Sequence, residues 1–325
     1  MRAQFVALGG FALGLGLVGC PEDRQAIDHA SCVGRQAVSF PPVFGASMGA
    51  KQLALSFDDG PASRTSDLSA YLKGQGIRAT FFVNANAQQA AYLSVLPQLV
   101  ADGHVLGNHT KNHLDLTTLD PAQIVDEVTQ LDAVIAPYVP NARFLFRAPF
   151  GAYDQGVYDA LAASPMNKYV GHVEWESGDN HAPPNEAADV QCWQADAMTS
   201  KECGDLYVKE IETVGKGIVL MHDADYGDST NTNVSVGKGN TVDMVKYIVP
   251  ILKSKGFTFI GVDEVPAIAS MLPPLPPDAG PDGSPDGGSG TSSSSTSSSG
   301  GSSGASSGGS SSGTPVDAGD PCASP

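Results

Sequence analysis

Leu53-Ala54-Leu55-Ser56-Phe57-Asp58-Asp59-Gly60 is the stretch whose reading decides the fold. A run of five mostly apolar residues stops at two adjacent carboxylates and a glycine, the pattern of a buried strand that delivers acids to the rim of a sheet. Asp58 and Asp59 are therefore expected at a strand's C-terminal end. Neighbouring carboxylates repel, so at least one of them needs a cation or a base beside it. Taken alone, Asp-Asp-Gly is an ordinary strand-to-turn exit. Two clusters downstream change that: His109-Thr110-Lys111-Asn112-His113 and Arg147-Ala148-Pro149-Phe150.

Outward from Leu53, strand-like and helix-like segments alternate. Helix is expected over Ser66–Gln75, Gln88–Ala101, Pro121–Ala136, Gln155–Ala163, Leu206–Val214 and Val242–Lys255, with Pro97 kinking the second of these. Pro121 suits a first helical position, and Ile124, Val128, Leu131 and Ile135 fall on one face behind it. Strands are expected at Ala79–Val83, His104–Gly107, Arg143–Phe146, Tyr169–Trp175, Gly217–Met221 and Phe257–Gly261, while Asn180–Gly204 reads as irregular. Six or seven such repeats predict an α/β fold, a distorted (β/α) barrel of about seven strands. Each polar cluster follows a predicted strand, which in such folds is the catalytic rim.

The chain has 325 residues, and its composition sets off one block, 51–272, from its flanks. Residues 1–19 carry Arg2 and then an apolar, glycine-rich stretch too short to span a membrane, which reads as a secretion signal. Leu17-Val18-Gly19-Cys20 resembles a bacterial lipobox, so Cys20 is expected to be acylated and to tether the chain to a bacterial membrane, periplasmic or at the cell surface. Residues 20–50 read as a polar spacer partly draped on the domain, and 273–325 as a disordered Ser/Gly/Pro-rich tail. The Gly/Ser coil Asp278–Pro325 would span on the order of 40 Å. A net charge of −17 argues against nucleic acid as the partner, and a monomer is expected. Of Cys32, Cys192, Cys203 and Cys322, the middle two are close enough in sequence for a local disulfide, and a second bridge between Cys32 and Cys322 is the weaker expectation.

His109 and His113 are four apart, so on a helical turn their rings share a face and can share a metal. With Asp59 they form a His/His/Asp set, three ligands with positions left open, which suits Zn²⁺ or another first-row divalent ion. The same set resembles the facial triad of non-haem iron oxygenases, so the chemistry rests on the surrounding groups. Asp58, one residue from a ligand, is placed to take a proton from water activated at the ion. Arg147 is the planar cation suited to orient Asp58. His222 closes the apolar run Ile218–Met221 as a candidate proton donor; a buried structural histidine is the alternative. Asp179 is its candidate carboxylate partner, with Asp223 and Asp225 as rivals.

Ser56-Phe57-Asp58-Asp59-Gly60, His109-Thr110-x-x-His113, Arg147-Ala148-Pro149-Phe150 and Leu220-Met221-His222, in this order, resemble the motifs of the polysaccharide deacetylases, the NodB-like carbohydrate esterases of family four. The resemblance covers about Lys51 to Val265. It implies a hydrolase that removes acetyl groups from a polysaccharide, with Asp58 as base, Asp59, His109 and His113 as metal ligands, Arg147 orienting the base, His222 as acid and the Phe150 backbone N–H holding the oxyanion. The family has a tryptophan after the aspartate at the position of Asp179; here Asn180 stands there, so Trp175 or Trp193 is left to wall the acetyl pocket. Peptidoglycan or a chitin-type N-acetylglucosamine polymer is the expected substrate. Acetylxylan, a non-catalytic carbohydrate-binding role on the same barrel, and an iron oxygenase are the alternatives.

Overall fold

The computed structural model describes residues 38–179, 186–224 and 239–274. Cys20, Cys32, Asn180, Asp225, Cys322, the expected signal and lipobox, and the expected tail from residue 275 onward lie outside the described residues. Among the described residues no helix is long and apolar enough to cross a membrane.

The stretch that opens with Leu53 forms β2 (Gln52–Asp58), which follows β1 (Val38–Val43). β2 is joined in parallel to β3 (Thr80–Val83) on one hand and to β7 (Gly217–His222) on the other. The sheet continues from β3 through β4 (Val105–Asn108) to β5 (Leu145–Phe146), and β8 (Thr258–Phe259) pairs with the start of β2. β1 pairs with β6 (Gly171–Val173) as a separate ribbon. Single bridges, Leu145 to Val170 and Ser177 to Val219, tie the chain on either side of β6 to β5 and β7. The result is the expected α/β architecture: parallel strands β2 to β8 curled into a distorted barrel, with helices packed outside.

Strand alternation decides what faces where. Leu53, Leu55 and Phe57 pack outward into a buried cluster with Leu68 and Leu72 of α1 (Thr65–Gly74) and with residues of the later helices. Ala54 faces the other way, toward Phe82 and Ile218, and Ser56 reaches Arg147 in the same interior. Asp58 continues this inward set at the strand's last position. Gly107 belongs to it too, because a Cβ there would lie 2.4 Å from the Phe82 ring.

Several elements depart from expectation. Gln89–Val95 is 3₁₀, and Pro97 sits in the first turn of a separate helix α2 (Leu96–Ala101), where its missing N–H costs nothing. β1 arises inside the stretch read as spacer; Pro41 and Pro42 disguise it, and it tolerates them on a two-stranded ribbon. α3 (Pro121–Ile135) keeps its expected face and starts with a capping box between Asp120 and Gln123. After α4 (Gln155–Ala162), the stretch read as irregular contains α5 (Asp189–Gln194) and the first turn of α6 (Ser200–Val214), joined by a Cys192–Cys203 disulfide with Cα atoms 5.9 Å apart. α7 (Thr241–Ser254) and α8 (Pro266–Ala269) are the last helices among the described residues.

Candidate active site

Strand register brings the chemistry together. Asp58, at the end of β2, is aligned with Phe82 on β3 and with His222 on β7, so an acid and an imidazole more than 160 residues apart are neighbours on adjacent strands. Asp59 leaves the strand with φ 66°, in the left-handed region. Its Oδ1 lies 3.0 Å from His113 Nε2 and 3.5 Å from His109 Nε2. Burial alone would raise the Asp59 carboxyl, but hydrogen bonds and charge from the two imidazoles outweigh it and hold the group well below the ordinary carboxylate range.

The two histidines do not sit on a helical turn. They belong to a loop that follows β4, with Thr110 at φ 65° and His113 at φ 57°. Buried Glu127 of α3 shapes that loop by accepting the Asn112 backbone N–H at 2.8 Å and its side-chain amide at 2.7 Å. Asn108 Oδ1 accepts Thr110 N–H at 2.9 Å. His109 Nδ1 donates to the Arg147 carbonyl at 2.9 Å, which orients the ring so that Nε2 faces Asp59. One ligand atom from each of Asp59, His109 and His113 lies within 4.8 Å of the others, so the three fit a divalent metal ion.

Arg147 is fully buried. Its Nη1 donates to Asp58 Oδ1 at 2.7 Å and to Ser56 Oγ at 2.9 Å, its Nε donates to Val173 O at 2.9 Å, and the guanidinium lies 4.1 Å from the Phe82 centroid. With a longer contact from Nη2 to the Glu174 carbonyl at 3.5 Å, the planar fork has four acceptors and an aromatic face, a site that a lysine cannot fill.

His222 does not pair with Asp179. Its Nδ1 is 2.8 Å from Oδ1 of Asp189, a buried residue in the first turn of α5, and Asp189 Oδ2 accepts the His222 backbone N–H at 2.8 Å. Asp179 instead accepts from the Trp175 indole N–H. The rival Asp223 accepts from Thr65 Oγ1 at 2.6 Å, and Asp225 is outside the described residues. Burial opposes a charged His222, yet the charge and hydrogen bond of Asp189, followed by Asp59 and Asp58, push the imidazole up to about 9. Sequence reasoning missed Asp189 because its surroundings look irregular; the only trace is an acid opening a short segment that ends in Cys192 and Trp193.

A cavity of about 470 Å³ joins these groups, lined by Asp58, Asp59, both ligand histidines and His222, with Trp175 and Leu220 among its apolar lining. Trp193 is fully buried and is not part of it. Phe150 lines it at φ 61° with its side chain 69% exposed. The Ala148, Gly151 and Ala152 N–H groups are engaged, by His172 Nδ1, Ala148 O and Pro149 O respectively, and the Phe150 N–H has no hydrogen-bond partner among the described residues. The arrangement thus holds a carboxylate, a three-ligand set and a charged imidazole around one opening.

Residues 45–168 match the family model described as polysaccharide deacetylase. A chitin deacetylase of Pestalotiopsis sp. is 37% identical over 122 residues, 37% of this chain and 39% of the relative. The chain spans under two fifths of the length of that protein and of an Arthroderma benhamiae chitin deacetylase. A chitooligosaccharide deacetylase of Bradyrhizobium sp. is 29% identical over 219 residues, 66% of this chain and 90% of the relative. The catalytic domain of a peptidoglycan N-acetylglucosamine deacetylase from Eubacterium rectale superposes with a TM-score of 0.51 at 18% identity, covering 67% of this chain and 90% of that one, a likeness of fold. Residues 45–168, which carry Asp58, Asp59, His109, His113 and Arg147 at or just after strand ends, thus match the polysaccharide deacetylase family, in line with these relatives.

Proposed function

We propose that the protein is a metal-dependent hydrolase that removes acetyl groups from an N-acetylglucosamine-containing polysaccharide, peptidoglycan or chitin-type, and so acts on a carbon–nitrogen bond that is not a peptide bond. The observation that carries this reading is the convergence of the Asp59, His109 and His113 ligand atoms beside the Asp58–Arg147 pair and across one cavity from His222. Relatives named as chitin, chitooligosaccharide and peptidoglycan deacetylases support the choice of substrate class.

Asp59, His109 and His113 would hold the ion, with Zn²⁺ favoured by a set of two imidazoles and one carboxylate. When bound, it would polarise the acetyl carbonyl and acidify water. Asp58, held by Arg147, takes the proton from the water that attacks the carbonyl carbon. The Phe150 N–H donates to the oxygen on which charge develops. As the acyl C–N bond breaks, His222 gives its proton to the departing nitrogen, with Asp189 keeping the ring oriented and charged until then. Trp175 and Leu220 offer the acetyl methyl an apolar surface.

Acetate release from purified chitooligosaccharide, peptidoglycan and acetylxylan, with and without chelator, tests the reading. Chelator-sensitive release from the first two is expected. Release from xylan alone makes it an O-deacetylase, and binding without release under every metal condition makes it a carbohydrate-binding protein. Export with acylation at Cys20 belongs to the same proposal, supported by Leu17-Val18-Gly19-Cys20 and by a disulfide, which persists in oxidising compartments. Loss of membrane association in Cys20→Ala is the expected result.

A further inference from the structure

α5 is six residues long, too short to hold its place by its own hydrogen bonds, yet it carries the carboxylate that orients His222. Its position is set from behind, by one face of α6 and by α7. Cys203, Tyr207 and Glu210 are spaced to line up on α6. Cys203 is bonded to Cys192 of α5. The Tyr207 hydroxyl accepts the Asp189 N–H at 3.1 Å and donates to the Leu220 carbonyl at 3.0 Å, coupling the start of α5 to β7 two residues before His222. Glu210 accepts the Ala187 N–H at 2.8 Å and the Gly178 N–H at 2.9 Å, tying the residue before Asp179 and the approach to α5 to the same helix. From α7, Thr241 Oγ1 donates to Asp189 Oδ2 at 2.8 Å and accepts the Trp193 indole N–H at 3.0 Å. The ion ligands depend on none of these: they hang on β2, β4 and the loop shaped by Glu127.

We propose that the Cys192–Cys203 disulfide and Tyr207 are positioning elements for proton donation. They hold Asp189 against His222, so that opening the disulfide disables protonation of the leaving group and leaves the ion-binding set and Asp58 competent. The proposal rests on the deacetylase reading above. In the step concerned the acyl C–N bond breaks, nitrogen keeps the electron pair, and the His222 proton moves to it. Opening the disulfide breaks the S–S bond with two electrons from a phosphine reductant; water supplies the oxygen of the phosphine oxide and the two protons of the thiols that form.

Because an amine leaves poorly without a proton and 4-nitrophenolate leaves well without one, two substrates separate the roles. Full-length protein, before and after treatment with tris(carboxyethyl)phosphine and removal of the reductant under argon, is assayed on N-acetylglucosamine oligomers and on 4-nitrophenyl acetate, with bound metal measured in parallel. Cys192→Ala/Cys203→Ala and Tyr207→Phe are assayed likewise. The expected result is a fall in kcat of about tenfold or more on the amide, within the range of a general acid's contribution, with a change of under about threefold on the ester and unchanged metal content. Tyr207→Phe removes one hydroxyl and keeps the disulfide, so it decides the matter if the double variant does not fold. Equal losses on both substrates, or no loss on the amide, overturn the proposal while leaving the deacetylase reading in place. Wild-type protein that hydrolyses the ester but never the amide overturns both.

Discussion

Arg147 Nη1 lies 2.7 Å from Asp58 Oδ1 inside the barrel, where neither side chain is more than 5% exposed. A charge so placed is tolerable only with its partner and with every remaining donor engaged. Ser56 Oγ, the Val173 carbonyl and, at 3.5 Å, the Glu174 carbonyl supply the further acceptors, so one guanidinium orients Asp58, the proposed base, and also fills the barrel's interior. Arg147→Met is expected to destabilise the fold by about 3–5 kcal/mol, the cost of leaving a buried carboxylate unpaired. Arg147→Lys should recover part of the stability and little of the activity, since an ammonium cannot reproduce the fork. Urea denaturation of the three proteins measures this, and a loss under about 1 kcal/mol in Arg147→Met would show that the pair is not structural.

Asp58 and Asp59 are adjacent in sequence and different in duty, and substitutions should separate them. Asp58→Asn preserves shape and is expected to lower kcat by about 10² or more with bound metal unchanged, as for loss of a general base. Asp59→Asn should instead lose metal. Elemental analysis beside acetate release distinguishes the two, and near-normal turnover in Asp58→Asn removes it from the mechanism.

The central strands and the long helices were legible in the chain because each carries an unmistakable period: the apolar run before Asp58, the face Ile124–Val128–Leu131–Ile135 behind Pro121. The residues proposed as ligands and base were legible because each cluster follows such a strand. Three things were not. β1 is disguised by Pro41 and Pro42. The His109–His113 loop has the spacing of a helical turn, but its two left-handed residues and its bonds to Glu127 are tertiary facts. Asp189 was passed over for Asp179, which is set beside a glycine and an asparagine in the chain, whereas the true neighbour of His222 is chosen by α6 and α7 packing against β7.

Glu127 offers a test of how far the ion site is preorganised. It touches no ligand atom and works through Asn112, bracketed between the two histidines. Glu127→Gln still accepts one of the two Asn112 hydrogen bonds and is expected to weaken Zn²⁺ binding by about 10- to 100-fold, as outer partners of metal ligands do. His113→Ala should abolish binding outright. Competition with a chromophoric chelator reads both, and an unchanged affinity in Glu127→Gln would place the ordering of the loop elsewhere.

His222 gives a pH signature that metal-free protein should display. Its imidazole is pushed up to about 9 against an ordinary value near 6.5, chiefly by Asp189 working against burial. A folded-state value above the unfolded one means that protonation favours the fold. That contribution is fully present below about pH 6.5 and disappears as pH rises through about 9. Asp189→Asn removes its main source. The Tm gap between wild type and Asp189→Asn should therefore be widest near pH 6 and narrow toward pH 10, with the ring's NMR titration midpoint falling in the variant. A gap that is the same at both ends of that range would mean that Asp189 holds His222 in place without governing its charge.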